Sequence, residues 1–246
     1  DVFNLVFDPA FVAAAWNRVS GNKGGSTSGV DGIAPRSVTP DRVAGMLTGL
    51  RESVKNGEFV PERVRQKSIP KANGKVRSLG IPTMTDRIVQ ASLKLVLEPI
   101  FEADFMPSSY GFRPRRRAQD AIAEIHFYAS RGYVQVFEAD ITACFDEIDH
   151  DALMQRVRSR ITDKRVLRLI RGFLKAGVLS EDGVNRDTFT GTPQGGILSP
   201  LLANIALSVV DEHFQRKWDA LGPQWSRTKH QRAGGATMKM VRYADD

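Results

Sequence analysis

At 246 residues, the chain is long enough to bury most of its apolar surface in one large or two modest domains. Hydrophobic residues make up 41% and charged residues 26%, ordinary for a soluble globular protein, and a formal charge of +7 points toward a polyanionic partner. One cysteine, Cys144, excludes an internal disulfide and a multi-thiolate zinc site. The histidines, His126, His150, His213 and His230, form no pair at metal-ligand spacing, and no apolar run reaches the length of a membrane span. A reducing, cytoplasmic setting is expected.

Residues 4–20 read as a helix that ends in the glycine-rich stretch 21–29. That stretch lacks the Gly-Lys-Ser/Thr of a phosphate-binding loop and on its own terms is a flexible basic loop. An amphipathic helix follows over 40–57, with Val43, Met46, Leu47 and Leu50 on one side. Residues 63–81 form the clearest hairpin, two strands around Ala72-Asn73-Gly74 with many cations and no acidic residue between Arg63 and Arg77. A helix is expected from Asp86 to Phe105, kinked or ended by Pro99, and another over 118–131, closed by Gly132. Between them lies the basic run Arg113-Pro114-Arg115-Arg116-Arg117.

Tyr133 to Ile141 reads as a buried strand. Two short helices, 152–161 and 163–176, come next, and Ser199-Pro200 opens a longer one running to about Trp218. A polar loop then leads to a final strand, Thr237 to Tyr243. Both ends of the chain look cut: it starts at Asp1 and stops on Asp245-Asp246.

Three segments carry chemistry. Asp140-Ile141 stands at one strand end with Phe145 five residues beyond Asp140; Thr192-Pro193-Gln194-Gly195-Gly196 precedes a helix; Tyr243-Ala244-Asp245-Asp246 caps the last strand. Carboxylates on the ends of neighbouring strands suit hard divalent cations, and antiparallel pairing of the two strands would bring Asp140 to Asp245-Asp246.

In this order the three segments resemble the core motifs of reverse transcriptases, and more narrowly those of the group II intron-encoded reverse transcriptase/maturase family. Supporting segments are Gly29-Val30-Asp31-Gly32, Ile69-Pro70-Lys71 with Gly74, Arg77, Leu79 and Ile81-Pro82, and Ser109-Tyr110-Gly111-Phe112-Arg113-Pro114. The resemblance covers nearly the whole chain. It implies an α/β (α+β) right-hand polymerase fold: an N-terminal extension and fingers over 1–84, and a palm over 85–246 whose antiparallel sheet packs on helices. Residues 148–195 would partly return to the fingers, and no thumb is present.

The same resemblance implies an RNA-directed DNA polymerase that copies intron RNA into DNA from a DNA or RNA primer and deoxynucleoside triphosphates. In the full-length protein it adds a splicing role. Two Mg²⁺ ions would be coordinated by Asp140 and Asp245 with the carbonyl of Ile141, and Asp246 would sit at the edge nearer the primer end. Lys71 and Arg77 would hold the triphosphate, Gln194 would lie under the nucleotide, and Phe145 would exclude a 2′-hydroxyl. Lys23 in the 21–29 loop, with Arg113, Arg115, Arg116 and Arg117, would follow the template backbone. The family usually carries Gly-Arg-Ser where this chain has Arg115-Arg116-Arg117. Alternatives are a retron-like or CRISPR-associated reverse transcriptase, or an RNA-binding splicing cofactor without polymerase activity. A chain ending inside its catalytic turn is expected to be inactive by itself.

Overall fold

The computed structural model describes residues 1–70, 74, 76–180, 185–186, 190–192 and 195–246, with the side chains of 77, 185 and 186 also left aside. The N-terminal region is two helices, not the one predicted: α1 (Val2–Val6) and α2 (Pro9–Gly21). The break lies at Asp8-Pro9, because proline suits a first helical turn and the Asp8 carboxylate accepts the Ala10 N–H at 2.8 Å. α3 (Pro40–Asn56) matches its prediction and ends at Gly57, whose φ of +76° supplies the left-handed cap.

The longest early helix, α4 (Met84–Glu102), is the axis of the molecule. Ile88, Ala91, Leu93 and Leu97 are buried on more than one side of it, as expected of a helix enclosed by others. α1 and α2 pack along it on one side and α9 (Ser199–Ala220) on another. Pro99 falls inside α4 without ending it. The core continues through α7 (His150–Arg158) and α8 (Lys164–Lys175), which contribute Leu153, Val157, Ile170 and Leu174. The remaining helices are α5 (Ala118–Ala129), the single turn α6 (Cys144–Glu147) and α10 (Gln224–Arg232). α10 occupies the stretch read from sequence as a polar loop. Among the described residues, no helix is long and apolar enough to cross a membrane.

Among the described residues, one mixed sheet of four strands runs β2-β1-β3-β4. β1 (Val64–Pro70) and β2 (Val76–Ile81) form the predicted antiparallel hairpin, in register from Arg65↔Ile81 to Pro70↔Val76. β3 (Val178–Leu179) joins β1 in parallel through Val64↔Val178, and β4 (Asn185–Arg186) pairs antiparallel with β3. The segment after α8 therefore comes back to the hairpin.

Two strand predictions fail. Residues 133–141 form no ladder and face solvent, with Val136 82% and Phe137 93% exposed. Among the described residues no strand lies beside them, and a β-segment without a hydrogen-bonded neighbour has nothing to hold its pleat. Among the described residues, 237–243 keep one bridge, Arg242 to Ser109 in parallel, and the predicted antiparallel sheet between the two segments is not formed.

Candidate active site

The turn Tyr243–Asp246 is closed by reciprocal backbone hydrogen bonds, Tyr243 N–H to Asp246 C=O at 2.9 Å and Asp246 N–H to Tyr243 C=O at 3.1 Å. Ala244 takes a φ of +62° to make it. A β-carbon on Gly111 would collide with the Ala244 backbone, so the motif around Gly111 seats the turn only through a glycine.

Arg242 fixes the turn from below. All five guanidinium N–H groups have acceptors: Asp211 through Nε (2.8 Å) and Nη2 (2.7 Å), Ser109 Oγ (2.8 Å), Asn204 Oδ1 (3.1 Å) and the Ala244 carbonyl (2.6 Å). Asn204 donates in turn to the Gly111 carbonyl at 2.8 Å. Backbone hydrogen bonds from Arg242 to Ser108 and from Tyr110 to Arg242, each 2.8 Å, complete the frame. Arg242 and Asp211 escaped the sequence reading, although an arginine directly before an acidic turn and a polar stripe of Asn204, Ser208 and Asp211 along a helix were both visible.

Asp140 and the turn meet without a sheet. The Ile141 N–H donates to the Asp245 carbonyl at 3.2 Å. The carboxyl of Asp246 is raised, first by partial desolvation and then by the charges of Asp140, Asp245 and Glu138. Burial pushes the Cys144 thiol up as well, reinforced by Asp245 and Asp140. Like charges gathered this closely favour a cation between them. Among the described residues, no three His, Cys, Asp or Glu side chains converge tightly enough to hold a metal ion as they stand. The hard carboxylate donor set fits a divalent cation chemically, and its mutual repulsion is what such an ion would relieve.

The segment before α9 is anchored to the Asp140 side. Thr192 N–H donates to the Phe145 carbonyl at 2.6 Å, Gly191 N–H to Ile148 at 2.8 Å, and His150 Nε2 lies 2.6 Å from the Gly191 carbonyl. Gly195 sits against Gly80 of β2, where a β-carbon would meet the Gly80 carbonyl at 2.5 Å. Phe145 is half-buried and meets the Phe112 ring edge-on at 6.0 Å. Lys71 and Gln194 lie outside the described residues. Arg77 pairs with Ile69 in the hairpin, its side chain likewise outside them.

The basic candidates divide. Arg113 does not face solvent: it is 7% exposed, bound to Glu102 at 2.7–3.1 Å and to the carbonyls of Met106 and Ser109 at 2.7 Å. Its charge is neutralised inside the fold, which corrects its expected place on a template surface. Arg116 reaches the Pro107 carbonyl and stacks on Tyr110, and Arg117 pairs with Asp120 at 2.9 Å. Arg115 is exposed with a φ of +60°. Lys23 is exposed at the start of a 3₁₀ turn, Lys23–Ser26. That loop is held, not flexible: Arg36, Arg65 and Arg87 donate to carbonyls of residues 20–28.

Residues 69–246 match the model of the family described as reverse transcriptase (RNA-dependent DNA polymerase). Protein YkfC of Escherichia coli K12 is 38% identical over 222 residues, 88% of this chain and 58% of its own length. The group II intron-encoded protein LtrA of Lactococcus lactis subsp. cremoris is 37% identical over 229 residues, 91% of this chain and 37% of its own length. The chain thus spans less than two thirds of either relative. A partial Cas6-RT-Cas1–Cas2 complex has a chain of similar fold, with a TM-score of 0.58 at 23% identity over 87% of this chain and 35% of that one. Reverse transcriptases use divalent metal ions and bind a nucleic-acid template and primer. With its three motifs in order and its acidic turn docked beside Asp140, the chain belongs to the reverse transcriptase family.

Proposed function

We propose that this chain carries the fingers and palm regions of a group II intron-type reverse transcriptase. It copies intron RNA into DNA by two-metal nucleotidyl transfer and takes part in splicing as a maturase. The observation that carries the reading is the Ile141–Asp245 hydrogen bond, which links two motifs a hundred residues apart and gathers Asp140, Asp245 and Asp246. The intron-encoded relative LtrA supports the intron assignment.

Asp140, Asp245 and the Ile141 carbonyl would hold two Mg²⁺ ions, with Asp246 at the edge of the site. Magnesium keeps several of its waters, so a few protein oxygens suffice. The ions supply activation of the primer hydroxyl and stabilisation of the leaving pyrophosphate. Lys71 and Arg77 neutralise the triphosphate as the hairpin lies over it, and arginine suits bidentate contact with phosphate oxygens. Gln194 lies beneath the nucleotide, and Phe145 bars a 2′-hydroxyl. Lys23, Arg115, Arg116 and Arg117 follow the template backbone, with contacts that weaken as salt rises.

The pairing of β3 with β1 supports a division into fingers (1–84, rejoined by part of 148–195) and palm (85–246). A cytoplasmic setting would keep Cys144 reduced. The test is primer extension on an RNA template by the product of the complete reading frame. DNA should accumulate with Mg²⁺ and vanish with Asp140→Ala. Tight RNA binding without extension would favour a splicing cofactor instead.

A further inference from the structure

Helix α4 turns two polar side chains, Asp86 and Gln90, toward residues 191–192 and 195–198, which lie ahead of α9. Their i, i+4 spacing puts them on one face. Gln90 already acts there: its Oε1 accepts the N–H of Ile197 at 2.8 Å and of Leu198 at 3.4 Å. The carboxyl of Asp86 is held by the Glu62 backbone and is also acted on by the Thr83 hydroxyl and N–H. Its Oδ2 accepts the Glu62 N–H at 3.2 Å, whereas Oδ1 is buried with no hydrogen-bond partner among the described residues. Thr192 Oγ1 is in the same condition. Asp86 is 1% exposed and Thr192 2%.

Both orphan groups line one cavity of about 20 Å³, together with Glu62, Val64, Gln90 and Gly196. A space of that size holds about one water molecule, and a buried water characteristically bonds to polar groups that nothing else satisfies. Leaving a buried donor or acceptor unpaired carries its full desolvation penalty, so two orphans on one small cavity call for a shared partner.

We propose that one ordered water fills this cavity and bridges the Asp86 carboxyl to the Thr192 hydroxyl, making Asp86 a positioning residue for the segment that precedes α9. The bridge joins the two anchors described above, Thr192 to Phe145 and Gly191 to His150, and ties the segment to α4 as well as to the Asp140 side. Burial pushes the Asp86 carboxyl up to about 7 against the lowering effect of the Thr83 hydroxyl, and so favours a protonated group able to donate to the water. The consequence for nucleotide binding rests on the polymerase reading; the water itself does not.

The test therefore has two arms. A high-resolution crystal structure of this chain should show a density peak within hydrogen-bonding distance of Asp86 Oδ1 and Thr192 Oγ1. An empty cavity, or a direct contact between the two side chains, overturns the proposal. In the second arm, nucleotide KM and kcat are measured for primer extension by the complete gene product. Thr192→Val and Asp86→Ala should each raise KM about fivefold with kcat nearly unchanged, and the double variant should be no worse than either alone, as coupled partners behave. Asp86→Asn, which can still accept from Glu62 and donate to the water, should restore the wild-type KM. Additive single effects overturn the bridge. If Asp86→Ala fails to fold, Thr192→Val is set against Thr192→Ser, which keeps the hydroxyl and should retain the wild-type KM; an equal rise in KM for both overturns the bridge. A peak in the cavity of a protein that extends no primer supports the bridge while sinking the polymerase reading.

Discussion

Arg242 and Asp211 form a two-pronged ion pair at 2.8 and 2.7 Å, with 2% and 1% of their surfaces exposed. The pair lies directly under the acidic turn, because the same guanidinium also holds the Ala244 carbonyl. Removing one partner of a buried pair leaves an uncompensated charge, which costs about 3–5 kcal/mol. Arg242→Met should therefore lower unfolding free energy by that order in urea titrations. Arg242→Met combined with Asp211→Leu should recover much of it, since replacing both members by apolar groups is often neutral. Full recovery of stability without recovery of activity would separate holding the fold from shaping the turn.

Gly111 meets the turn from the other side. Gly111→Ala forces a β-carbon into the Ala244 backbone and must displace the turn or the 109–113 segment. Overpacking of this kind costs about 1–3 kcal/mol. Primer extension should fall much further than stability does, and parallel losses in the two would mean that the contact matters only for folding.

Phe145 leans edge-on against Phe112 beside the same site. Phe145→Ala should raise ribonucleotide relative to deoxyribonucleotide incorporation by roughly tenfold, the scale on which a shape-selecting pocket discriminates. An unchanged ratio in competition assays would make Phe145 plain packing.

Asp86 gives the fold a pH dependence. Its carboxyl rises from 3.8 to about 7 on folding, chiefly through burial, with the Glu62 charge also raising it and Thr83 lowering it. The folded chain thus keeps a proton that the unfolded chain releases above about pH 4. Stability from this group is full below that value, falls as pH rises toward 7, and is level beyond it. The loss is at most about 4 kcal/mol. Denaturant titrations at about pH 5 and pH 8 should differ more for wild type than for Asp86→Asn, which has no proton to lose.

How much of this was legible in sequence depended on whether the signal was local. The 63–81 hairpin announced itself through Asn73-Gly74 between two basic strands, and α3 through the one-sided spacing of Val43, Met46, Leu47 and Leu50, because each signal lies within a few adjacent residues or turns. The 133–141 and 237–243 strands were misread because alternation describes a face, while a strand exists only beside a neighbour that supplies its hydrogen bonds. α10 was missed because its residues are polar all round, so no apolar stripe marks it. Arg113 and Arg242 both read as cations in a basic protein; only long-range partners, Glu102 and Asp211, turn them inward. The acidic motifs themselves were plain, and their meeting through Ile141 and Asp245 was not.

Iron-mediated cleavage tests that meeting most directly. Fe²⁺ bound in place of the divalent ion, with ascorbate and peroxide, should cut the backbone near residue 140 and near residue 245 in the same molecules. Mg²⁺ should suppress both cuts, and Asp140→Ala should abolish both. Cleavage at only one of the two segments, or cleavage near 245 that survives Asp140→Ala, would contradict a single metal site shared by Asp140 and Asp245.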